Sequence, residues 1–432
     1  MKNDYRRFFQ YVIPSIGAML ASGLYFVVDG IFVGRGIGTN GLAAVNLSVP
    51  FISLLIAIPM MIAMGGAALT SISFGRGETE QANEHFNTSI FLVLVFALFM
   101  SVIAVSFPKT IAGLLGSNEA LLEDTALYLK YFVVFGIFFS GAMALAAFVR
   151  NDGNPKLAFW GMTVGAGCNI FLDWLFVFPL QMGLKGAAIA SGLGQVLACA
   201  ILSFHFILKK GSLRLSLPKI TRKEIGSILH TGLPEFVTQM NSPVTTFCYN
   251  QIVIRTFGEI GMAAFSVVAY LLTIILAIFS GLAQGIQPLL SLSRGQGELE
   301  RERKFMRQGL TMNIILALTV YLVMVVLGKP IIRIFNSDAE MIRLAYDSML
   351  VYGISFPFAA INIVYTTYFL AVKQTAQAMR IAILRSFILN IVCIFAVPAL
   401  LGDAFIWLGI AVAEALDTGD VFLSNRMKRK QV

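Results

Sequence analysis

Four acidic residues of this chain stand in or beside segments that are otherwise apolar, and they are the first candidates for chemistry. They are Asp29, Asp173, Glu235 and Glu414. A carboxylate at the centre of a bilayer costs at least about 2.5 kcal/mol, so it normally faces the protein interior and has a function. Burial favours the neutral form of a carboxyl group, and a second carboxylate nearby favours it further. Buried acids of this kind could therefore bind and release a proton.

Asp173 has an amide partner on its own predicted helix. Asn169 precedes it by one turn, so the two side chains share a helix face. If Asp29 lies close to them, the three residues could bind one proton or one Na⁺, which is the chemistry of ion coupling. For the Asn–Asp pair, the alternative is a contact that only holds helices together. For Asp29, the alternative is an acid near the membrane surface, since Arg35 follows closely.

The composition indicates an integral membrane protein. Hydrophobic residues make up 57% of the chain and charged residues only 13%, about half the ~25% of a soluble domain. Uncharged runs long enough to cross about 30 Å of hydrocarbon recur throughout, and they must be helices because lipid cannot satisfy a bare backbone. The chain contains no P-loop motif, so we expect an ion gradient rather than ATP to supply energy.

We predict an all-α integral membrane protein with twelve transmembrane helices. The polar linker 209–227 separates an N-lobe, residues 1–208, from a C-lobe, residues 228–432. About three quarters of the 32 lysine and arginine residues fall on the side of the N-terminus, which predicts that both termini and the linker are cytoplasmic. This topology explains the net charge of +9 better than nucleic-acid binding does. The predicted spans lie near 11–33, 42–73, 86–107, 125–148, 157–179, 186–208, 228–254, 262–292, 306–327, 345–371, 380–400 and 404–423.

The two lobes repeat each other at an offset of about 220 residues. Because each lobe has an even number of spans, the second repeat enters the membrane from the same side as the first. The lobes are then parallel repeats related by a pseudo-two-fold axis along the membrane normal, with the substrate path between them. Equivalent residues include Pro14 and Pro234, Gly75 and Gly295, Gly77 and Gly297, and, with one residue of slip, Asn169 and Asn390.

The repeat does not extend to the acids of the first lobe. Asp29 aligns with Tyr249, and Asp173 aligns with Ile394, so the N-lobe is the better candidate for ion coupling. The C-lobe instead carries acids and amides that could line a substrate cavity or hydrogen-bond between helices. These candidate substrate residues are Glu235, Gln239, Gln284, Gln287 and Glu414.

Several segments, in this order and spacing, resemble the multidrug and toxic compound extrusion (MATE) family, and in particular its bacterial multidrug branch. The similarity covers essentially the whole chain. The segments are PSIGAMLASGLYFVVDGIFVGRGIGTNGLAAVNL, SFGRGE and its copy SRGQGE, NIFLD, MGLKGAAIAS and GLAQGIQP.

The resemblance implies a V-shaped transporter of the cell inner membrane that exports organic cations and drugs, and so confers antibiotic resistance. Export would occur by alternating access in exchange for H⁺ or Na⁺, without a cofactor. The expected partners are small organic cations and membrane lipid, with no nucleic acid, and the expected oligomeric state is a monomer.

The resemblance also implies roles for individual residues. Asp29, Asn169 and Asp173 match the ion-coupling cluster of the family and are the candidate Na⁺ ligands. Ser191 stands where many members have a threonine in this cluster. A tyrosine of the fourth span often joins it, and both Tyr128 and Tyr131 are candidates. Some members use an acid in the tenth span for sodium, and this chain has none there, although Glu235 could partly substitute.

Three other functions compete with drug export. A flippase for lipid-linked oligosaccharide or polysaccharide, from the same superfamily, would need cationic residues within its cavity to meet phosphate, and here acids prevail. A membrane-embedded enzyme would need a clustered His/Asp or Ser/His set, which the sequence does not show, so we expect no enzyme activity. A channel would lack saturable, gradient-driven accumulation.

Overall fold

The computed structural model describes residues 2–335 and 338–429, and this part of the chain is mostly helical, without a β-strand. Residues 1, 336, 337 and 430–432 of the predicted lobes lie outside the described residues. A π-helical segment, Leu384–Ile388, joins α14 to α15, and a 3₁₀ turn, Asp403–Phe405, precedes α16. The helices are α1 (Lys2–Gly36), α2 (Thr39–Gly75), α3 (Thr79–Ser106), α4 (Pro108–Leu114), α5 (Glu119–Val133), α6 (Gly136–Asn151), α7 (Pro155–Val177), α8 (Gly183–Ile207), α9 (Arg222–Gln239), α10 (Asn241–Gly295), α11 (Leu299–Arg333), α12 (Ala339–Gly353), α13 (Phe356–Ala371), α14 (Thr375–Ile383), α15 (Leu389–Leu401) and α16 (Leu408–Arg429).

Several spans are bent or run together. The pair α5 and α6 meets at 51°, and its equivalent pair, α12 and α13, meets at 50°, so each pair forms one bent span. The helices α9 and α10 run on for 74 residues, which at 1.5 Å per residue is about 110 Å and far more than one bilayer. Gly258 divides this run, because its φ of 61° lies outside the helical region and in one that glycine tolerates.

The number of spans agrees with two sets of six. Among the described residues, eight helices are long and apolar enough to cross a membrane, and ten are if each bent pair counts as one span. The break at Gly258 divides the α9–α10 run into two segments, and α16 is a further long helix that is not among these apolar spans. The prediction of an all-α membrane fold with two six-helix repeats is confirmed. The sequence did not predict the bends at residues 134–135 and 354–355.

Equivalent glycine contacts show how the repeats are arranged. Gly65 of α2 packs against the backbone of Gly232 in α9, and the equivalent contact joins Gly285 of α10 to Val12 of α1. A Cβ atom at Gly65 would lie 2.7 Å from the nitrogen of Gly232, and one at Gly285 would lie 2.9 Å from the Cα of Val12. Each lobe therefore makes the same contact with the other, as a two-fold relation requires.

Gly75 and Gly295 occupy the same position in the two repeats and meet each other directly. A Cβ atom at Gly75 would lie 2.7 Å from the Cα of Gly295. Residues that touch their own symmetry equivalents lie at the two-fold axis. The axis therefore passes between the ends of α2 and α10, on the same side of the membrane as the linker.

The segment between α8 and α9 is held on the N-lobe by side chains of that lobe. The Oδ1 atom of Asp152 accepts a hydrogen bond from the backbone nitrogen of Ser212 at 2.7 Å. The Oδ1 atom of Asn87 accepts one from the backbone nitrogen of Ser216 at 2.8 Å. These bonds satisfy backbone groups that have no helix of their own.

Large apolar side chains are exposed on the outer faces of the bundle. Phe99 of α3 is 60% exposed, and Leu322 and Val326 of α11 are 62% and 66% exposed. In a membrane these faces contact lipid, so their exposure is consistent with a spanning bundle.

Candidate ion-coupling site

Asp29 and Asp173 come together in the interior of the N-lobe. Asp29 lies on α1 and is 7% exposed, and Asp173 lies on α7 and is fully buried. Their carboxyl groups are close enough to interact electrostatically. The structure therefore places these two acids side by side and away from lipid.

Close packing between α7 and α8 brings an amide and a hydroxyl to the same place. A Cβ atom at Gly194 of α8 would lie 2.8 Å from the Cβ of Asn169, so glycine is needed at this crossing. Asn169 is 1% exposed, and its Nδ2 atom donates a hydrogen bond to the Oγ atom of Ser191 at 3.3 Å. All four residues that the sequence assigned to ion coupling thus lie in one region of the N-lobe.

Several buried oxygen atoms in this cluster have no hydrogen-bond donor. Among the described residues, no donor in good geometry reaches Oδ1 of Asp29, either carboxyl oxygen of Asp173, or Oδ1 of Asn169. In the described part of the chain, no lysine or arginine forms a salt bridge with either acid. Two adjacent carboxyl groups without a counterion are stable only when they share a proton or bind a cation. A set of oxygen atoms suits a proton or a hard cation, which prefers oxygen ligands.

The structure distinguishes the two candidate tyrosines of the fourth span. Tyr128 of α5 is 2% exposed and lies close enough to Asp29 and Asp173 to interact with them electrostatically. Tyr131 is half-buried, and the Nζ atom of Lys185 lies 4.9 Å from the centre of its ring. Tyr128 is therefore the tyrosine that belongs to the cluster.

Two further residues of the cluster were not found from the sequence. Tyr25 is 4% exposed and interacts with Asp29, Asp173 and the side chain of Gln195. Gln195, on α8, is 5% exposed. Tyr25 precedes Asp29 by one helical turn, and Gln195 follows Ser191 by one turn. Each pair has the same four-residue spacing as Asn169 and Asp173, so this spacing could have identified Tyr25 and Gln195 from the sequence.

The equivalent region of the C-lobe is apolar. Tyr249, which replaces Asp29, is fully buried and stacks on Trp407 at 5.2 Å between ring centroids. Ile394, which replaces Asp173, is also fully buried. Asn390 keeps a hydroxyl partner, because its Nδ2 atom donates to the Oγ1 atom of Thr245 at 2.5 Å.

Two of the candidate substrate residues form hydrogen bonds between the lobes. The Oε1 atom of Gln284 accepts a bond from Nη2 of Arg150 at 2.8 Å. The Oε1 atom of Gln287 accepts one from Nδ2 of Asn151 at 3.1 Å. Arg150 and Asn151 end α6 of the N-lobe, so these bonds cross the lobe interface near the two-fold axis.

Glu414 lies in a buried ion pair. Its Oε1 atom accepts a hydrogen bond from Nε of Arg385 at 2.8 Å, and its Oε2 atom accepts one from Nδ2 of Asn362 at 2.8 Å. Arg385 belongs to the π-helical segment, and such segments are rare and frequently functional. This acid therefore has both a counterion and an amide partner.

Glu235 pairs with Gln239 within α9, where Nε2 of Gln239 donates to Oε1 of Glu235 at 2.8 Å. The structure therefore divides the five C-lobe candidates into three separate groups and does not gather them in one cavity. Among the described residues, no group of three or more His, Cys, Asp or Glu side chains could hold a metal ion.

Comparison with known proteins identifies the family. The family model named MatE matches the chain twice, over residues 14–175 and 234–395, and the two matches are offset by 220 residues. The chain belongs to the MatE family. The two matches confirm the resemblance and the internal repeat that the sequence predicted.

Relatives of this MatE family chain include two proteins named "Multidrug export protein MepA". The one from Staphylococcus haemolyticus is 24% identical over 363 residues, which cover 82% of this chain and 80% of the relative. The one from Staphylococcus saprophyticus is 23% identical over 408 residues, which cover 94% of this chain and 90% of the relative.

The fold of the MatE chain is that of solved transporters. One structure, described as the outward-facing conformation of a multidrug resistance MATE family transporter of the MOP superfamily, superimposes with a TM-score of 0.92. It is 19% identical and the match covers 98% of this chain and 96% of that one. At this identity the likeness establishes the fold, and the chain is a multi-pass membrane protein.

Proposed function

We propose that this MatE family chain is a secondary multidrug exporter, which expels organic cations in exchange for H⁺ or Na⁺ through alternating access. The observation that carries the proposal is the Asp29–Asp173 pair, which is buried, adjacent and without a counterion. Two of its relatives are named for multidrug export. Membership of the MatE family supports a transport function.

The chemistry of the pair supplies a coupling step. When the ion is absent, two carboxylates in a dry interior favour rearrangement or the approach of a cation. Binding of one H⁺ or one Na⁺ removes one of the two negative charges and favours closer packing of α1 against α7 and α8. An ion does work in such a cycle only if it binds one conformation more tightly than the other. Asn169, Ser191, Tyr128 and Gln195 would position the acids and bind the ion with them.

The proposal includes an orientation in the cell inner membrane with both termini and the linker in the cytoplasm. Its support is the excess of lysine and arginine on that side. The contact of Gly75 with Gly295 and the bond between Arg150 and Gln284 then close the lobes on the cytoplasmic side. A pathway between the lobes would open toward the opposite side in this conformation.

Buried arginines do not favour transport of phosphate-bearing cargo. Arg150 donates to Gln284, and Arg385 is neutralised by Glu414. Arg150 is 4% exposed and lies within the closed lobe interface, so neither arginine is accessible to phosphate in this conformation.

Transport in proteoliposomes tests the proposal. Ethidium uptake or release is measured with a pH gradient or a sodium gradient imposed separately. The wild-type protein should move ethidium against its gradient with one of the two ions, and Asp29→Asn should stop this movement. Glu340→Gln, which alters an exposed acid of the C-lobe, is the matched control and should transport normally. Gradient-driven transport by Asp29→Asn equal to that of the wild type would disprove the coupling role.

A further inference from the structure

A groove of about 930 Å³ lies between the start of α1 and the first half of α11, away from the ion-coupling cluster. Its walls come from different lobes, because α1 belongs to the N-lobe and α11 to the C-lobe. It opens at the end of both helices that lies on the side of the linker. The proposed orientation therefore puts it at the cytoplasmic surface of the membrane.

The outer end of the groove carries an excess of positive charge, with Arg301, Arg303, Lys304 and Arg307 against Asp4 and Glu300. Arg303 and Arg307 are exposed and lie one turn apart on α11. Glu300 is the nearest acid to Arg303 at 3.9 Å, and Arg307 has no salt bridge within the described residues. Lys304, in contrast, is already paired with Asp4 at 2.8 Å. The two arginines are thus available to an anion.

The inner end of the groove is apolar and leads into the membrane. Phe9 of α1 is 42% exposed, and Ile315 of α11 is 51% exposed. Ile315 follows Arg307 by two turns, about 12 Å along the helix axis. Beyond it, Leu318 and Leu322 continue the same exposed face at 53% and 62%. One groove therefore joins a cationic end to the lipid-facing surface.

A buried polar side chain in the groove lacks partners. Gln308 lines the groove, and both its Nε2 and its Oε1 atom are buried without a hydrogen-bond partner. An unsatisfied buried amide costs free energy, so a ligand with both acceptor and donor groups would be favoured here. Phosphate oxygens accept hydrogen bonds, and headgroup hydroxyls donate them.

We propose that this groove binds an anionic phospholipid of the cytoplasmic leaflet. Its phosphate lies at Arg303 and Arg307, its headgroup at Gln308, and one acyl chain follows Phe9 and Ile315. Basic pockets between transmembrane helices on the cytoplasmic side are suited to such headgroups. Because the lipid contacts α1 and α11 together, it stabilises the arrangement of the lobes in which these helices are close. The proposal depends on the proposed orientation but not on ion coupling.

Native mass spectrometry of the purified full-length protein tests this site without a transport assay. The protein in detergent is mixed with equal amounts of phosphatidylglycerol or phosphatidylcholine, and the retained lipid is counted. We expect phosphatidylglycerol to be retained preferentially and the double variant Arg303→Gln/Arg307→Gln to weaken its binding by about tenfold or more. Arg333→Gln/Arg343→Gln removes two exposed charges at the opposite membrane face and should leave binding unchanged. Gln308→Leu should weaken binding by a smaller factor.

Three outcomes would overturn the proposal. Equal retention of phosphatidylcholine would mean that the arginines do not select the ligand. Equal losses in the two double variants would indicate a general effect of charge rather than a site. Displacement of the lipid by inorganic phosphate alone would identify a site for free phosphate. If Asp29→Asn loses transport but retains phosphatidylglycerol normally, the ion-coupling role and the lipid site are independent of each other.

Discussion

The two lobes have the same fold but treat buried charge in different ways. In the N-lobe, Asp29 and Asp173 lie together without a counterion, and several of their oxygen atoms have no donor. In the C-lobe, Glu414 is held by Arg385 and Asn362. The first arrangement changes its energy greatly when a proton or cation binds. The second is already neutral as a pair and is suited to holding helices in place.

The amides of the two lobes show which part of the site is structural. Asn169 donates to the hydroxyl of Ser191, and its equivalent Asn390 donates to the hydroxyl of Thr245. An asparagine at equivalent positions therefore donates to a hydroxyl group in both lobes, whereas the Asp29–Asp173 pair has no equivalent, because Tyr249 and Ile394 stand there. In the proposed mechanism the amide belongs to the shared scaffold and the two acids bind the ion.

The largest effect on stability should come from removing one partner of the Arg385–Glu414 ion pair in the C-lobe. Arg385→Met leaves the Glu414 carboxylate buried without its cation, which should lower the free energy of unfolding by about 3–5 kcal/mol. The double variant Arg385→Met/Glu414→Met removes both charges and should recover most of this loss. Thermal unfolding of the purified proteins in detergent measures both. A single variant as stable as the wild type would show that the pair does not hold the C-lobe together.

A matched change in the N-lobe should have little effect on stability and a large effect on drug efflux. Asp173→Asn removes a charge that has no counterion, so the free energy of unfolding should change by no more than about 1 kcal/mol. Drug efflux should nevertheless fall by about tenfold or more, because the ion no longer distinguishes the two conformations. The checks are thermal unfolding, and minimum inhibitory concentration in an efflux-deficient host at matched expression, with Glu340→Gln as control. Full resistance with Asp173→Asn would refute the contrast between the lobes.

Much of the fold could be predicted from the sequence because lipid enforces it. The lengths of the apolar segments predicted the spans, and the 220-residue repeat predicted how the spans are arranged. The bend between α5 and α6 could not be predicted, since residues 134 and 135 continue an apolar run that suits a straight helix equally well. The break at Gly258 falls within residues 255–261, between the predicted seventh and eighth spans, so its place was predicted from the sequence.

The candidate site was predicted in part for a similar reason. A buried acid is conspicuous in an apolar segment, so Asp29 and Asp173 stood out. Tyr25 and Gln195 did not, because tyrosine and glutamine occur in spans for many reasons. The partners of Gln284 and Glu414 could not be predicted either. They depend on which side chains the two lobes and the π-helical segment bring within hydrogen-bond distance, and that is a property of packing.

Removing a hydrogen bond from the interface between the lobes should have an intermediate effect on stability. Gln284→Leu removes the acceptor of buried Arg150, and a lost bond to a charged group costs about 1–3 kcal/mol. Because this bond joins the lobes, its loss should favour opening on the linker side. Maleimide labelling of Ser73→Cys, a buried position near the end of α2, should therefore become about fivefold faster or more in inside-out vesicles.

The control for this experiment lies on the same helix run. Gln296→Leu changes an exposed glutamine at the end of α10 and should leave the labelling rate of Ser73→Cys unchanged. Equal acceleration by both substitutions would point to a general loosening. An unchanged rate with Gln284→Leu would mean that the bond to Arg150 does not hold the lobes closed.

The smallest effect should come from the linker, where charges are exposed rather than buried. Hydrogen bonds from Lys219 to Glu84 and Glu80 raise the pKa of this lysine above its ordinary value of 10.5. A raised pKa in the folded state means that the stabilisation is fully present below pH 10.5 and is lost as the pH rises through the higher folded value. Lys219→Met should thus lower the thermal midpoint slightly near neutral pH, and this difference should shrink in alkaline solution.

Salt provides the second comparison for the linker. Exposed pairs are screened by added salt, so the effect of Lys219→Met should also shrink at high ionic strength. Lys223→Met removes a nearby exposed lysine that has no salt bridge in the described part of the chain, and it should show neither dependence. If Lys219→Met gave a loss of stability that depended on neither pH nor salt, the lysine would act through packing.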